Sequence, residues 1–140
     1  MHERTKPLVY IAADFTRKDE AKALKTLCEG MGFGVLSSWH RERDVRVLED
    51  LTVEDAAEMA LRDIEEVSHC DVFLMLSSPG DCGLVLLGVA IECDIPVVVY
   101  GVTHSIYQYL PQVTVACDDE QLRESLMSAV TGTSDTQDTL

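Results

Sequence analysis

Two short segments combine residue types that hold small polar ligands. Ala12-Ala13-Asp14-Phe15-Thr16-Arg17 follows an apolar run and sets a carboxylate, an aromatic ring, a hydroxyl and a guanidinium in succession. Ser77-Ser78-Pro79-Gly80-Asp81-Cys82-Gly83 follows another apolar run and brings two serines and two glycines ahead of a helical pattern. Free backbone N–H groups and hydroxyls in such a place can hold a phosphate-like anion, and Arg17 or Lys18 adds charge. Glycine-bearing turns also end strands for steric reasons alone, so composition marks a place without naming its ligand. No GxGxxG follows the first apolar run and no GxxxxGK[ST] occurs, so neither a dinucleotide nor a Walker-type site is indicated and no cofactor is expected.

Asp63 is the other carboxylate of interest. On a helical wheel it lies beside Ala56 and Val67, at the margin of an apolar stripe, where partial burial demands hydrogen-bond donors. That setting suits an acid or hydrogen-bonding role, and equally an ion pair with Arg43 or the Arg62 turn. His40 beside Trp39, and His104 near Tyr107 and Tyr109, fall close to strand ends; aromatics there either stack on a base or close a core edge. His2 and His69 have no neighbours that suggest ligand geometry. The cysteines, at 28, 70, 82, 93 and 117, never come closer than eleven positions, which excludes a CxxC knuckle and a disulfide framework. No metal site is expected. Four of the five fall in apolar patterns, and only Cys82, in a turn, is expected to be exposed.

The elements that must position these groups alternate. Leu8–Ala13, Phe33–Ser38, Asp71–Leu76, Pro96–Val102 and Val113–Cys117 are short apolar, partly β-branched runs that read as buried strands. A first helix starts from a capping-box-like Thr16 and Asp19, carries Ala21, Leu24, Cys28 and Met31 on one face, and ends at Gly32. Thr52, with Asp55 three residues on, caps a second helix to Ser68 whose stripe is Val53, Ala56, Ala57, Ala60, Leu61, Ile64 and Val67. The segment between Trp39 and Leu51 is charged, without a period, and reads as a connection. Leu84–Cys93 is a closely packed third helix, and Asp118 starts a fourth with Leu122, Leu126, Ala129 and Val130 inward.

Strand-helix alternation with continuously apolar strands defines an α/β class: a flavodoxin-like, Rossmann-like three-layer sandwich with about five parallel strands in the order 2-1-3-4-5. Ligands of such sheets bind beyond the carboxyl ends of the strands at the switch point, here between strands 1 and 3. That crevice lies between the two segments described first. Residues 1–130 form one domain and the polar end, residues 131–140, is expected to be disordered.

With 140 residues and 46% hydrophobic content, one sizeable core is expected. The 25 acidic against 11 basic residues give a net charge of −14, which repels a nucleic-acid polymer. No apolar run approaches the roughly 20 residues that cross a bilayer, and MHERTK lacks a secretory leader's apolar stretch. A cytoplasmic protein with no membrane partner is expected.

The runs VYIAADFTRKDEAKALKTLCEGMGFGVLSSWH, EDAAEMALRDIEEVSHCDVFLML, GLVLLGVAIECDIPVVVYG and YQYLPQV resemble the nucleoside 2-deoxyribosyltransferase-like proteins from Leu8 to about Val130. Members of that family bind nucleosides or nucleotides and break or exchange the N-glycosidic bond. A glutamate attacks C1′, and an aspartate orients it or the sugar hydroxyls. The resemblance implies that Asp63 is the helix aspartate and the catalytic residue if the chain is active. It implies that Tyr10, Ala12, Ala13, Asp14, Phe15 and Arg17 belong to the first pocket loop, with Trp39 near the base. Ser77, Ser78, Gly80 and Gly83 belong to the loop that approaches sugar or phosphate. The family's nucleophile stands in a stretch that corresponds here to Leu84-Val85-Leu86-Leu87-Gly88-Val89-Ala90, and Leu86 occupies the glutamate position. An isobutyl group neither attacks an anomeric carbon nor stabilises an oxocarbenium ion.

The expectation is therefore a protein that binds a nucleoside, a nucleotide or a nucleotide-derived signalling molecule without efficient cleavage. The alternatives are an active transferase or N-glycosidase with a relocated carboxylate, Asp63 or Asp81, and a scaffold acting only through protein contacts. The resemblance also implies a homo-oligomer.

Overall fold

Strands covered on both faces must be apolar along their whole length, and the central ones here are. In the computed structural model, which describes residues 6–41, 51–101 and 106–138 (side chains omitted at 41 and 132–138), β1 (Leu8–Ala12), β2 (Gly34–Val35), β3 (Val72–Leu76), β4 (Val97–Tyr100) and β5 (Val113–Ala116) form one sheet. All neighbours run parallel, in the order β2-β1-β3-β4-β5. The expected α/β class and strand order are thus observed. Val9 lies opposite Val72 and Phe73 opposite Val97. Tyr10 faces Phe73 in register, and their rings stack with centroids 5.8 Å apart.

Three helices connect strands β1 to β4, namely α1 (Lys18–Gly30), α2 (Val53–Ser68) and α3 (Gly80–Glu92); a 3₁₀ turn at Ile106–Tyr109 lies between β4 and β5, and α4 (Asp119–Asp138) follows β5. α1 packs on β1 and β2, α4 on β3, β4 and β5, while α2 and α3 pack on each other. Right-handed crossovers put α1 on the face opposite α2 and α3.

Several local expectations hold. Thr52 Oγ1 accepts from the Asp55 backbone N–H at 3.0 Å, and Gly32 follows α1 with φ +98°. Asp118 Oδ1 accepts from Gln121 N–H at 2.8 Å, and Leu122 and Leu126 are fully buried.

Others are corrected. Thr16 does not cap α1: Phe15–Arg17 forms a 3₁₀ turn, and α1 starts after Arg17 without a side-chain cap. The second strand is only Gly34–Val35, because Ser37 and Trp39 take over its pairing with side chains, as described below. Most of the α2 stripe is not packed on the sheet: Val53 is 83% and Leu61 66% exposed, and only Asp63 and Val67 are buried. α3 begins four residues early, at Gly80 rather than Leu84, within the glycine-bearing loop. α4 is assigned through Asp138, and so includes the start of the polar end, residues 131–140. Cys93 and Cys117 are exposed along with Cys82, because they sit just past the ends of α3 and β5. Cys28 and Cys70 are buried, and desolvation pushes each thiol up to about 12. His2, Arg43 and His104 lie outside the described residues.

Candidate functional site

The switch point opens into a cleft of about 630 Å³, a volume in the range of small-molecule sites. Tyr10 and Ala12 form its floor at the end of β1, and Ala13, Asp14 and Phe15 continue the wall. Trp39 closes one side and Asp63 projects from α2. Gly80, Gly83 and Leu86 line the opposite side, at the start of α3. The structure brings these ten of the expected residues together.

The loop after β3 reaches this position through an unusual backbone. Ser78 has φ 56° and Gly80 φ +79°, so the chain turns sharply before α3. A Cβ on Gly83 would lie 2.4 Å from Pro79 Cβ, so only glycine lets the first turn of α3 fold back on the loop.

Arg17, Ser77 and Ser78 do not line the cleft. The Arg17 guanidinium donates through Nη1 to the Ser77 carbonyl at 2.6 Å and through Nε and Nη2 to the Glu20 carboxylate at 2.7 and 3.0 Å. Its pKa is raised, chiefly by the hydrogen bond to Glu20. Arg17 therefore straps the loop after β1 to the loop after β3, which fixes the width of the crevice between them. Lys18 Nζ sits 5.2 Å from the centre of the Phe15 ring.

Trp39 is held from behind. The Leu36 N–H still donates to the Val9 carbonyl at 2.9 Å; beyond it the backbone leaves β1, and Ile11, whose N–H and C=O would meet a longer strand, is fully buried. Ser37 Oγ accepts from the Ile11 N–H at 3.1 Å, and Trp39 Nε1 donates to the Ile11 carbonyl at 2.6 Å. Ser37 Oγ also bonds His40 Nε2 at 2.9 Å, with both residues fully buried. Two side chains thus complete the edge pairing of β1, and this locks the indole as a wall 6.0 Å from the Phe15 ring. His40 is accounted for as a buried structural group, and His69 interacts with the Glu65 carbonyl at an exposed helix end.

One turn past Asp63, Glu66 ties α2 to the same wall. The Ser38 N–H and hydroxyl donate to its two carboxylate oxygens at 3.2 and 2.8 Å. Burial raises the Glu66 pKa, an effect the two Ser38 bonds oppose.

Asp63 is only 6% exposed and Leu86 7%. Glu92, further along α3, is exposed, as its helical phase requires. The ionisable side chains on the described lining are Asp14, Asp63, Asp81, Tyr10 and Cys82, with no lysine, arginine or histidine among them.

Sequence reasoning missed Ala56, Met59, Ala60 and Ile64 as lining residues. Three of these were visible as an apolar stripe, but a stripe facing a cleft has the same period as one facing a sheet. Leu51, Pro79, Cys82 and Val85 also line the cleft without having been singled out as ligand contacts.

No known family profile and no curated protein matches the sequence. Solved structures do match in fold. The CMP N-glycosidase BcmB of Clostridium botulinum aligns with 86% of this chain and 96% of its own, at 12% identity and TM-score 0.55. A 2-deoxyribosyltransferase of Bacillus psychrosaccharolyticus aligns with 83% of this chain and 90% of its own, at 17% identity and TM-score 0.65. The chain shares the α/β fold of these nucleoside- and nucleotide-processing enzymes.

Among the described residues no helix is long and apolar enough to cross a membrane.

Proposed function

We propose that the cleft binds a nucleoside or nucleotide-like small molecule and does not efficiently cleave it. The carrying observation is Leu86. It is buried against the cleft from α3, and by resemblance it stands where the transferase-like family places its nucleophilic glutamate. The size of the cleft, the Phe15 and Trp39 walls and the buried Asp63 support retention of a base and a sugar. Arg17, Ser77 and Ser78 serve this reading as supports of the loops rather than as ligand contacts.

Calorimetric titration with nucleosides and their 5′-monophosphates, paired with chromatographic detection of free base, tests the proposal. Saturable binding without base release is expected. Base release at enzyme-like rates, lost in Asp63→Asn or Asp81→Asn, replaces it with the reading of a relocated carboxylate. Self-association belongs to the same reading. Leu61, Ile64, Leu84 and Val85 leave an exposed apolar edge on α2 and α3 beside the cleft, and light scattering on the titration samples is expected to give more than the monomer mass.

A further inference from the structure

We infer that the first turn of α3, Gly80–Gly83, is a lid on the cleft that winds and unwinds as a unit and is latched in its wound form by Arg17. The lid is a property of the free chain, and its coupling to a ligand rests on the binding reading above.

Local sequence does little to hold this turn. The apolar helical pattern starts at Leu84, yet the helix begins at Gly80. Pro79, at the N-cap, supplies no side-chain hydrogen bond to the first N–H groups. Two of the four residues are glycine, which gives up the most freedom on entering a helix. Just ahead of them Ser78 has φ 56°, in the left-handed region that is unfavourable for a residue with a Cβ. Strain of this kind persists only where the surroundings impose it.

The surroundings act through Ser77. Its N–H donates to the Tyr100 carbonyl at 3.0 Å, and its hydroxyl lies against Gly101, where a Cβ would be 2.5 Å from Ser77 Oγ. Those two contacts come from the end of β4 and move with the sheet. The third, Arg17 Nη1 to the Ser77 carbonyl at 2.6 Å, comes from the opposite lip of the crevice, and Glu20 holds the guanidinium in place. On the far side α3 is anchored where Leu86, Leu87 and Ala90 are buried. Between the anchors Gly80, Asp81 and Cys82 are exposed yet also line the cleft, together with Pro79 and Gly83. Unwinding this one turn therefore opens the cleft while the buried part of α3 stays packed.

Hydrogen exchange of the full chain, resolved to single amides by NMR, tests this. In an α-helix the N–H groups of Leu84 to Leu87 bond to the carbonyls of Gly80 to Gly83, so unwinding frees those amides and spares Gly88 to Ile91. In the wild type the Leu84–Leu87 amides are expected to exchange roughly tenfold faster or more than Gly88–Ile91. Arg17→Ala is expected to widen the gap roughly tenfold by removing a charged hydrogen bond to the latch, with Gly88–Ile91 unchanged, a selectivity that general destabilisation does not give. Ser78→Gly relieves the left-handed residue and is expected to narrow the gap roughly threefold; it provides the second reading should Arg17→Ala fail to fold. Equal exchange across Leu84–Ile91, or a variant effect spread evenly over the helix, overturns the lid. A nucleoside that binds by calorimetry is expected to slow Leu84–Leu87 selectively, and one that binds without doing so overturns the coupling. If no nucleoside binds, the binding reading falls, and the exchange pattern of the free protein still decides the lid.

Discussion

Replacing Ser37 by alanine tests how the cleft wall is held. Ser37 Oγ is fully buried and serves two partners, the Ile11 N–H at 3.1 Å and His40 Nε2 at 2.9 Å. Alanine fits the space, adds no strain and removes that hydrogen-bonding group. A buried polar group deprived of its partner costs about 1–3 kcal/mol. Two such groups, less the desolvation of the deleted hydroxyl, give about 2–4 kcal/mol. For a chain of this size the loss corresponds to a fall in Tm on the order of 5–15 °C. Urea unfolding and thermal melts followed by circular dichroism measure it, with Ser38→Ala as a control at a half-buried site whose partner, Glu66, retains solvent contact. Nucleoside affinity is expected to fall in Ser37→Ala as well, because the Trp39 indole is bonded to the carbonyl of the same Ile11. A stability change below about 1 kcal/mol would refute the view that side chains complete the edge of β1.

Two further outcomes are expected. Glu66 has its folded pKa raised, mainly by burial, so the native state holds its proton more tightly than the unfolded chain does. Its contribution to stability is therefore present at acid pH and is lost as pH rises from the ordinary glutamate range through the raised folded value; urea titrations across that range are expected to show this slope in the wild type and a flatter one in Glu66→Gln. Leu86→Glu places a carboxylate on the buried cleft face of α3 and is expected to lower stability by about 2–4 kcal/mol while gaining measurable release of base from deoxynucleosides. If that variant binds nucleosides yet releases no base, Leu86 is not the site of the missing nucleophile.

The sequence by itself determined the class of fold, and the reason is the period and polarity of particular elements. Val72–Leu76 and Val97–Tyr100 have no polar face, so they had to be covered on both sides by helices. Alternation with Ala21-Leu24-Cys28 and Leu122-Leu126 stripes then left few topologies, and the observed order is among them. The same logic located the crevice, since a switch point follows from strand order before any side chain is placed. Thr52 and Asp118 marked their helix starts because capping is a local interaction within three residues.

Tertiary structure decided what each candidate side chain does within that crevice. The α2 stripe carries a helical period that is the same whether the facing surface is a sheet or a cavity, so Ala56, Ala60 and Ile64 could be assigned to the cleft only once the helix was placed. Arg17 reads in sequence as a phosphate ligand, yet a carbonyl from a strand end 60 residues away and Glu20 take its guanidinium. The short β2 was illegible for a related reason. Ser37 falls in the run read as a strand and Trp39 just after it, whereas their side chains supply the hydrogen bonds that a longer strand would have made. Local spacing records which groups are present, and only contacts between distant segments settle which of them remain available to a ligand.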